Sequence, residues 1–293
     1  MALILFWLLG VVWGSNFIYM KWASEYINAQ QIVLLRVVFG FIPVLLYALF
    51  KRELKTAHIK HAGHFFVMAL IATVVYYYGF VKGASLLPSG IAGVLSGAIP
   101  IFAFLIAMLV LPEEKATWRR VIGIAIGFVG IVLIANPFSS DVASTDLEGV
   151  FYMVVGSLSV GVSFIYAKKF ITPLVIPGAA LTSYQLGFAL LILLFFTDLN
   201  GIEDIFESTH VALGAIIGLG VLGTGLAYLI YYYLIEQLGA VAASSVTYIP
   251  PVVALAIGVL LVGEAIKLTD YLAVCLIFIG VILVNRKQKA HGK

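Results

Sequence analysis

Arg36 lies about two turns inside an otherwise apolar stretch. A guanidinium at that depth is costly to bury, and its planar fork of donors matches a carboxylate. Two readings stand side by side. In one, the side chain faces a wet central cavity and holds or gates a substrate carboxylate. In the other, it snorkels along its methylene stem to the headgroups. Ser183 occupies the matching position in the second half of the chain, with Tyr184 and Gln185 beside it. Ser15 and Asn16 interrupt another apolar run in Trp13-Gly14-Ser15-Asn16-Phe17, and Gly161-Val162-Ser163-Phe164 repeats the step. A glycine followed by a small hydroxyl or amide lets backbones approach and supplies hydrogen bonds at depth. It serves a cavity wall or helix–helix glue equally well.

Pro100 and the pair Pro250-Pro251 fall near the middle of two apolar stretches. Proline there removes a backbone bond and frees carbonyls one turn earlier, so kinks are expected, with Ser96, Ser244, Ser245, Thr247 and Tyr248 close by. Tyr78 and Tyr228 match across the two halves and are candidates for lining a cavity, whereas tyrosines near stretch ends are anchors at the interface. No aspartate or glutamate occupies the middle of any apolar stretch. A proton relay through a buried carboxylate therefore has no evident residue, and facilitated export or exchange down the solute's own gradient is simpler. His58, His61 and His64 recur at three-residue steps, but no cysteine or carboxylate completes a zinc set, and a solvated juxtamembrane stretch is the plainer meaning. No metal, cofactor or catalytic group is called for.

These residues must be positioned by helices in lipid. The chain has 293 residues, 63% of them hydrophobic and 11% charged, more apolar surface than a water-soluble domain can hide. Apolar runs of about 20 residues, the bilayer-spanning length, alternate with short polar breaks. Spans are expected near 3–22, 30–50, 63–82, 88–110, 118–135, 148–168, 177–197, 211–235, 241–262 and 268–285. A net charge of +3, with the basic residues at stretch ends, gives no stripe for nucleic acid. The one cysteine, Cys275, excludes an internal disulfide. The N-terminal run has no basic flank and carries Trp7 and Trp13, so it reads as a retained first helix and not a cleaved signal.

The chain also repeats itself. Gly14, Phe17, Ile18, Tyr19 and Lys21 return 147 positions later as Gly161, Phe164, Ile165, Tyr166 and Lys168, and Gly40-Phe41 returns as Gly187-Phe188. Further on the offset is 150: Tyr78 with Tyr228, Ala92 with Ala242, Ile99-Pro100 with Ile249-Pro250, Glu114 with Glu264, Gly130 with Gly280. A duplicated unit with an odd number of spans inserts its second copy upside down, an architecture of secondary transporters with the substrate between the halves. The expected fold is an all-α integral membrane protein of ten transmembrane helices, two inverted five-helix repeats at 1–137 and 147–287. With the N-terminus inside, 13 basic residues fall on the cytoplasmic side and three outside, which also places the C-terminus in the cytoplasm. Gly93 and Gly97, Gly123 and Gly127, and Gly214 and Gly218 have small-xxx-small spacing, for packing within one chain or a homodimer face.

These motifs resemble the EamA family of the drug/metabolite transporter superfamily. The resemblance covers almost the whole chain and is carried by Trp13-Gly14-Ser15-Asn16-Phe17, Leu35-Arg36, Pro100 with Leu111-Pro112-Glu113-Glu114, Pro250 with Val262-Gly263-Glu264, and Gly130 and Gly280. It implies an inner-membrane carrier with a central cavity walled by helices one, three, four, six, eight and nine, several members exporting amino acids or related metabolites. Pro112 stands where the usual loop has glycine. The glutamate used by small multidrug relatives in their first helix has no counterpart here, so their proton–drug exchange is not carried over. The leading expectation is alternating-access export of an amino acid or derivative, with Arg36, Ser15, Asn16, Ser96, Ser163, Tyr184 and Gln185 bonding polar groups and Tyr78, Tyr228 and Tyr248 on the wall. A multidrug or other metabolite carrier, a lipid-acting membrane enzyme and a passive channel are the rivals.

Overall fold

A computed structural model describes residues 1–110, 117–135, 146–238, 245–265 and 267–285. Among these residues the regular structure is helical. α1 (Ala2–Ala23) and α2 (Ala29–Phe50) are joined by a short turn in which Asn28 and Gln31 form a reciprocal capping box, each side chain taking the other's backbone N–H at 3.1 Å. α3 (Thr56–Leu86) begins with a 3₁₀ turn and contains a π-helical segment at Leu70–Val74. α4 (Ser89–Val110) is followed by α5 (Trp118–Ala135), α6 (Leu147–Leu174) and α7 (Gly178–Phe196). α8 covers 209–238 and is π-helical over Gly214–Leu226. α9 covers 245–262, and α10 runs Leu268–Asn285. Seven of these helices, α1 to α4 and α6 to α8, are long and apolar enough to cross a membrane. Large apolar side chains such as Leu3, Trp7, Leu46, Phe50, Leu109, Phe195 and Leu260 point away from the protein, as a lipid solvent allows. The segment between α5 and α6, the Pro112-Glu113-Glu114 turn, Ser244 and the basic C-terminal residues lie outside the described residues.

The expected proline kinks are complete breaks. α4 is two helices, Ser89–Ser96 and Ile99–Val110, and Pro100 sits in the first turn of the second. α9 enters through a 3₁₀ turn at Ser245–Tyr248 and restarts at Ile249, so Pro250 and Pro251 again occupy a first turn. A missing N–H is harmless at that position, which is why the chain breaks before the proline and does not bend at it. Proline does not always break this fold: α2 runs unbroken through Pro43.

Packing repeats with the sequence. α1 packs on α9 and α6 on α4; α3 packs on α6 and α8 on α1; α2 packs on α8 and α7 on α3. The pairs α2–α7, α4–α9 and α5–α10 are their own counterparts under a five-helix shift. Glycines set the closest approaches. A Cβ added at Gly14 would lie 2.5 Å from Val253 Cβ, and one at Gly161 would lie 2.9 Å from the Ala103 backbone nitrogen. A Cβ at Gly130 would meet the Ala273 carbonyl at 2.8 Å, and one at Gly280 the Gly123 carbonyl at 2.5 Å. The small-xxx-small glycines also face inward. Gly93 meets Ala254, Gly127 meets Ile101, and Gly214 and Gly218 meet the Tyr19 ring.

Candidate functional site

Arg36 reaches the interior, not the headgroups: it is 2% exposed. Its Nε donates to Thr224 Oγ1 at 3.0 Å. The guanidinium carbon stands 3.7 Å from the centroid of the Tyr77 ring, a cation–π contact. The Asn16 amide, turned so that its nitrogen donates to the Val12 carbonyl (3.1 Å), accepts from Nη2 through its oxygen (3.3 Å). Nη1 faces the Met20 thioether at 3.9 Å, a weak acceptor. Asn16, Met20, Tyr77 and Thr224 are all buried. Four helices thus converge on one cation, and among the described residues none of the groups around it is a carboxylate.

Helix geometry explains the convergence. Asn16 and Met20 are four residues apart and share a face of α1. Thr224 lies in the π-helical stretch of α8, where its hydroxyl donates to the Leu219 carbonyl five residues back (3.0 Å) while accepting from Arg36. Glycines make room: a Cβ at Gly40 would lie 2.5 Å from Thr224 Cγ2, and one at Gly223 would run into the Asn16 amide. Segments of π-helix often mark functional sites because they redirect side chains and loosen the backbone ladder.

A second polar node sits at the repeat-related place. Gln185 of α7 donates to Thr73 Oγ1 at 2.9 Å, within the π-helical segment of α3. Beside it Ser159 of α6 donates to the Ile71 carbonyl at 2.7 Å. The nodes are joined through two phenols, Tyr77 donating to Tyr228 (3.3 Å) and Tyr228 to the Ala72 carbonyl (3.5 Å).

Of the residues singled out in the sequence, the structure brings together Asn16 and Arg36, and places Tyr228 and Gln185 one link away. Ser15, Ser96, Ser163 and Ser183 donate instead to carbonyls of their own helices, of Val12, Gly93, Val160 and Ala179, at 2.6 to 2.9 Å. Tyr78 packs edge-on against Tyr152 at 5.9 Å, and Tyr248, half-buried, closes the 3₁₀ turn of α9. Tyr184 is elsewhere. Its hydroxyl accepts from the Lys55 backbone nitrogen (3.1 Å) and meets His58 Nδ1 (3.2 Å), and its ring stacks on Phe65 at 4.8 Å. It fastens the α2–α3 connection and does not join Arg36, because one residue along α7 turns the side chain by about 100° from Gln185. His64 is held similarly, Nδ1 to the Tyr166 hydroxyl at 2.7 Å. Among the described residues no three histidine, cysteine or acidic side chains gather as metal ligands do.

Thr224, Tyr77, Met20 and Thr73 were missed in the sequence. The signal for Thr224 was a hydroxyl alone in a glycine-rich apolar run, 188 positions from Arg36. Glu264 stood out in the sequence as a repeat match and within Val262-Gly263-Glu264, with no role attached, and in the structure it has a definite task. Its carboxylate accepts from Ser89 N (2.6 Å), Ser89 Oγ (2.7 Å) and Gly90 N (2.9 Å), capping the N-terminus of α4 from the turn that follows α9. Gly263, at φ +71, makes the turn that presents it. Nearby, Lys21, Trp22, Glu25, Leu87 and Glu264 line an open cleft of about 370 Å³.

The EamA-like transporter family model matches the chain twice, over residues 1–136 and 147–286. An uncharacterised transporter of Archaeoglobus fulgidus is 24% identical over 94% of this chain and 95% of its own length. The uncharacterised inner membrane transporter YedA of Escherichia coli is 29% identical over 68% of this chain and 62% of its own. An S-adenosylmethionine uptake transporter of Rickettsia prowazekii is 26% identical over 57% and 55%. One crystal structure superposes with a TM-score of 0.61, covering 96% of this chain and 95% of the other at 17% identity, a likeness of fold alone.

Proposed function

Because the chain belongs to the EamA-like transporter family, we propose that it is an inner-membrane secondary carrier that moves a small carboxylate-bearing metabolite, an amino acid or derivative, outward by alternating access. Ten spans form two inverted five-helix repeats, with both termini in the cytoplasm, and the substrate binds between them at mid-depth. The paired packing of helices under a five-helix shift supports the repeat. The basic residues gathered on one side support the orientation.

One observation carries the substrate reading: Arg36 is buried with neutral partners only among the described residues. A structural arginine in hydrocarbon is ordinarily paired with an acid. One held by a hydroxyl, an amide, a ring and a sulfur has charge in reserve for a ligand that comes and goes. Asn16 and Thr224 hold the guanidinium in place, Tyr77 covers one face of it, and Tyr228 and Gln185 extend the polar lining. Opening to either side would hydrate this centre; closing would trap the bound solute.

Counterflow into proteoliposomes loaded with members of an amino-acid and organic-acid panel tests the reading. Saturable exchange of a carboxylate-bearing solute, lost in Arg36→Ala while the variant still elutes as a folded monodisperse sample, is the expected result. Flux that rises without plateau would mean a channel, and no exchange of any carboxylate by well-folded protein would remove the proposal.

A further inference from the structure

We infer that the Arg36 centre selects solutes of net charge −1, that is, carboxylic acids whose amino group is absent or acylated, over zwitterionic amino acids. This deepens the carrier reading above and rests on it for the location of the site. The argument is one of donors, acceptors and charge. A guanidinium carries five N–H donors in one plane. Nε and Nη2 share one edge of that plane, and neutral oxygens occupy it: Thr224 Oγ1 on Nε and the Asn16 amide oxygen on Nη2. The other edge, formed by Nη1 and the second N–H of Nη2, has the Met20 sulfur as its partner among the described residues. That edge is the shape of a bidentate carboxylate seat, and a flexible thioether is easily displaced from it.

Among the described residues no carboxylate faces this centre to seat an ammonium. Among the described residues the acidic side chains lie in connections or in the first turns of helices, as at Glu25, Glu53, Glu148, Asp198, Glu264 and Asp270. The neutral oxygens at the centre each already take a donor, and none carries the negative charge that would offset an ammonium. Thr224 oxygen accepts from Arg36, the Asn16 oxygen does the same, the Tyr228 oxygen accepts from Tyr77, and the Leu219 and Ala72 carbonyls accept from Thr224 and Tyr228. A monoanion would neutralise the buried cation. A zwitterion would satisfy the guanidinium but bring a second cation into the same desolvated volume, where like charges repel strongly and an unpaired ion is costly.

The test uses purified full-length protein and matched compounds: alanine, leucine and phenylalanine, the N-acetyl acid of each, and the N-acetyl methyl ester of each. Thermal stabilisation gives apparent affinities and counterflow gives transport. In each series the N-acetyl acid is expected to bind at least about tenfold tighter than both the parent amino acid and the ester. In Arg36→Gln the advantage of acid over ester should vanish; in Arg36→Lys, which keeps the charge without the fork, it should shrink and persist. A parent amino acid that binds as tightly as its N-acetyl acid overturns the inference, as does an ester that does so. Amino acids that win and also exchange saturably sink the charge selection alone. Acids that bind without exchanging sink the carrier reading alone. If no compound binds, both fail.

Discussion

At the scale of single residues, the contacts around Arg36 make separable contributions. Among the described residues Thr224 supplies the hydroxyl that accepts from the guanidinium, at Nε. Thr224→Val keeps the shape and removes that acceptor, leaving a buried charged donor without its oxygen. The expected cost is about 1–3 kcal/mol of stability, with Thr224→Ser restoring most of it, read by thermal unfolding in detergent. Tyr77 contributes by its ring and by its hydroxyl, and two variants separate them. Tyr77→Phe keeps the ring under Arg36 and loses the bond to Tyr228, for roughly 0.5–1.5 kcal/mol. Tyr77→Leu also loses the cation–π contact, adding about 1–2 kcal/mol. Equal losses in the two variants would mean that the ring face contributes nothing. Arg36 and Asn16 were legible from the sequence because a charge and an amide stand out in an apolar run. Tyr77 was not, since it sits among three consecutive tyrosines and only the helix rotation decides which of them points inward.

At the scale of elements, what could be read depended on whether a residue type forces the geometry. The prolines at 100, 250 and 251 announced a disturbance in α4 and α9, and both helices are disturbed there. That the disturbance is a break, with proline in a new first turn, follows from the free carbonyls being taken up by short turns such as Gly97 N to Val94 O and Ala98 N to Leu95 O. The π-helical segments of α3 and α8 carry no such mark. They follow from packing, with Ser159 and Gln185 on one and Arg36 on the other. Glycine spacing in α8 is the part of that packing open to test. Gly223→Ala drives a methyl into the Asn16 amide and is expected to destabilise by about 1–3 kcal/mol and to weaken ligand stabilisation. Gly187→Ala, whose nearest neighbour would be the Phe41 ring at 3.8 Å, should be neutral or slightly stabilising. At the α4 N-terminus, Glu264→Gln loses the charge on three donors and Glu264→Ala loses the acceptor altogether. Unfolding should show the alanine variant lower in stability by about 1–3 kcal/mol and the glutamine variant between it and the parent.

At the scale of the molecule, the most extensive packing of each helix runs to the other sequence half: α1 to α8, α2 to α8, α3 to α6, α5 to α10. The halves interlock instead of forming two self-contained bundles, so the proposed rocking motion would divide the helices along lines that cross the repeats. The length of the repeat and its two offsets were readable as matched residues. The interlocking was not, because sequence identity between copies says nothing about which copy a helix packs against. The interlocked pairs have a consequence for topology. The proposed two-fold relation, with five spans in each unit, would place matched residues on opposite faces of the bilayer, so Glu25, just after the first Phe-Ile-Tyr copy, and Val175, just after the second, are expected to face different compartments. Both are exposed. The lone Cys275 is exposed on α10, and Cys275→Ser should alter stability by no more than about 0.5 kcal/mol, giving a clean background. In it, Glu25→Cys is expected to react with an impermeant maleimide added to intact cells. Val175→Cys should react only after the cytoplasmic face is opened, as in inverted vesicles. If both thiols react from the same side, the copies are parallel, and neither a mid-depth site shared between inverted repeats nor alternating access built on them survives.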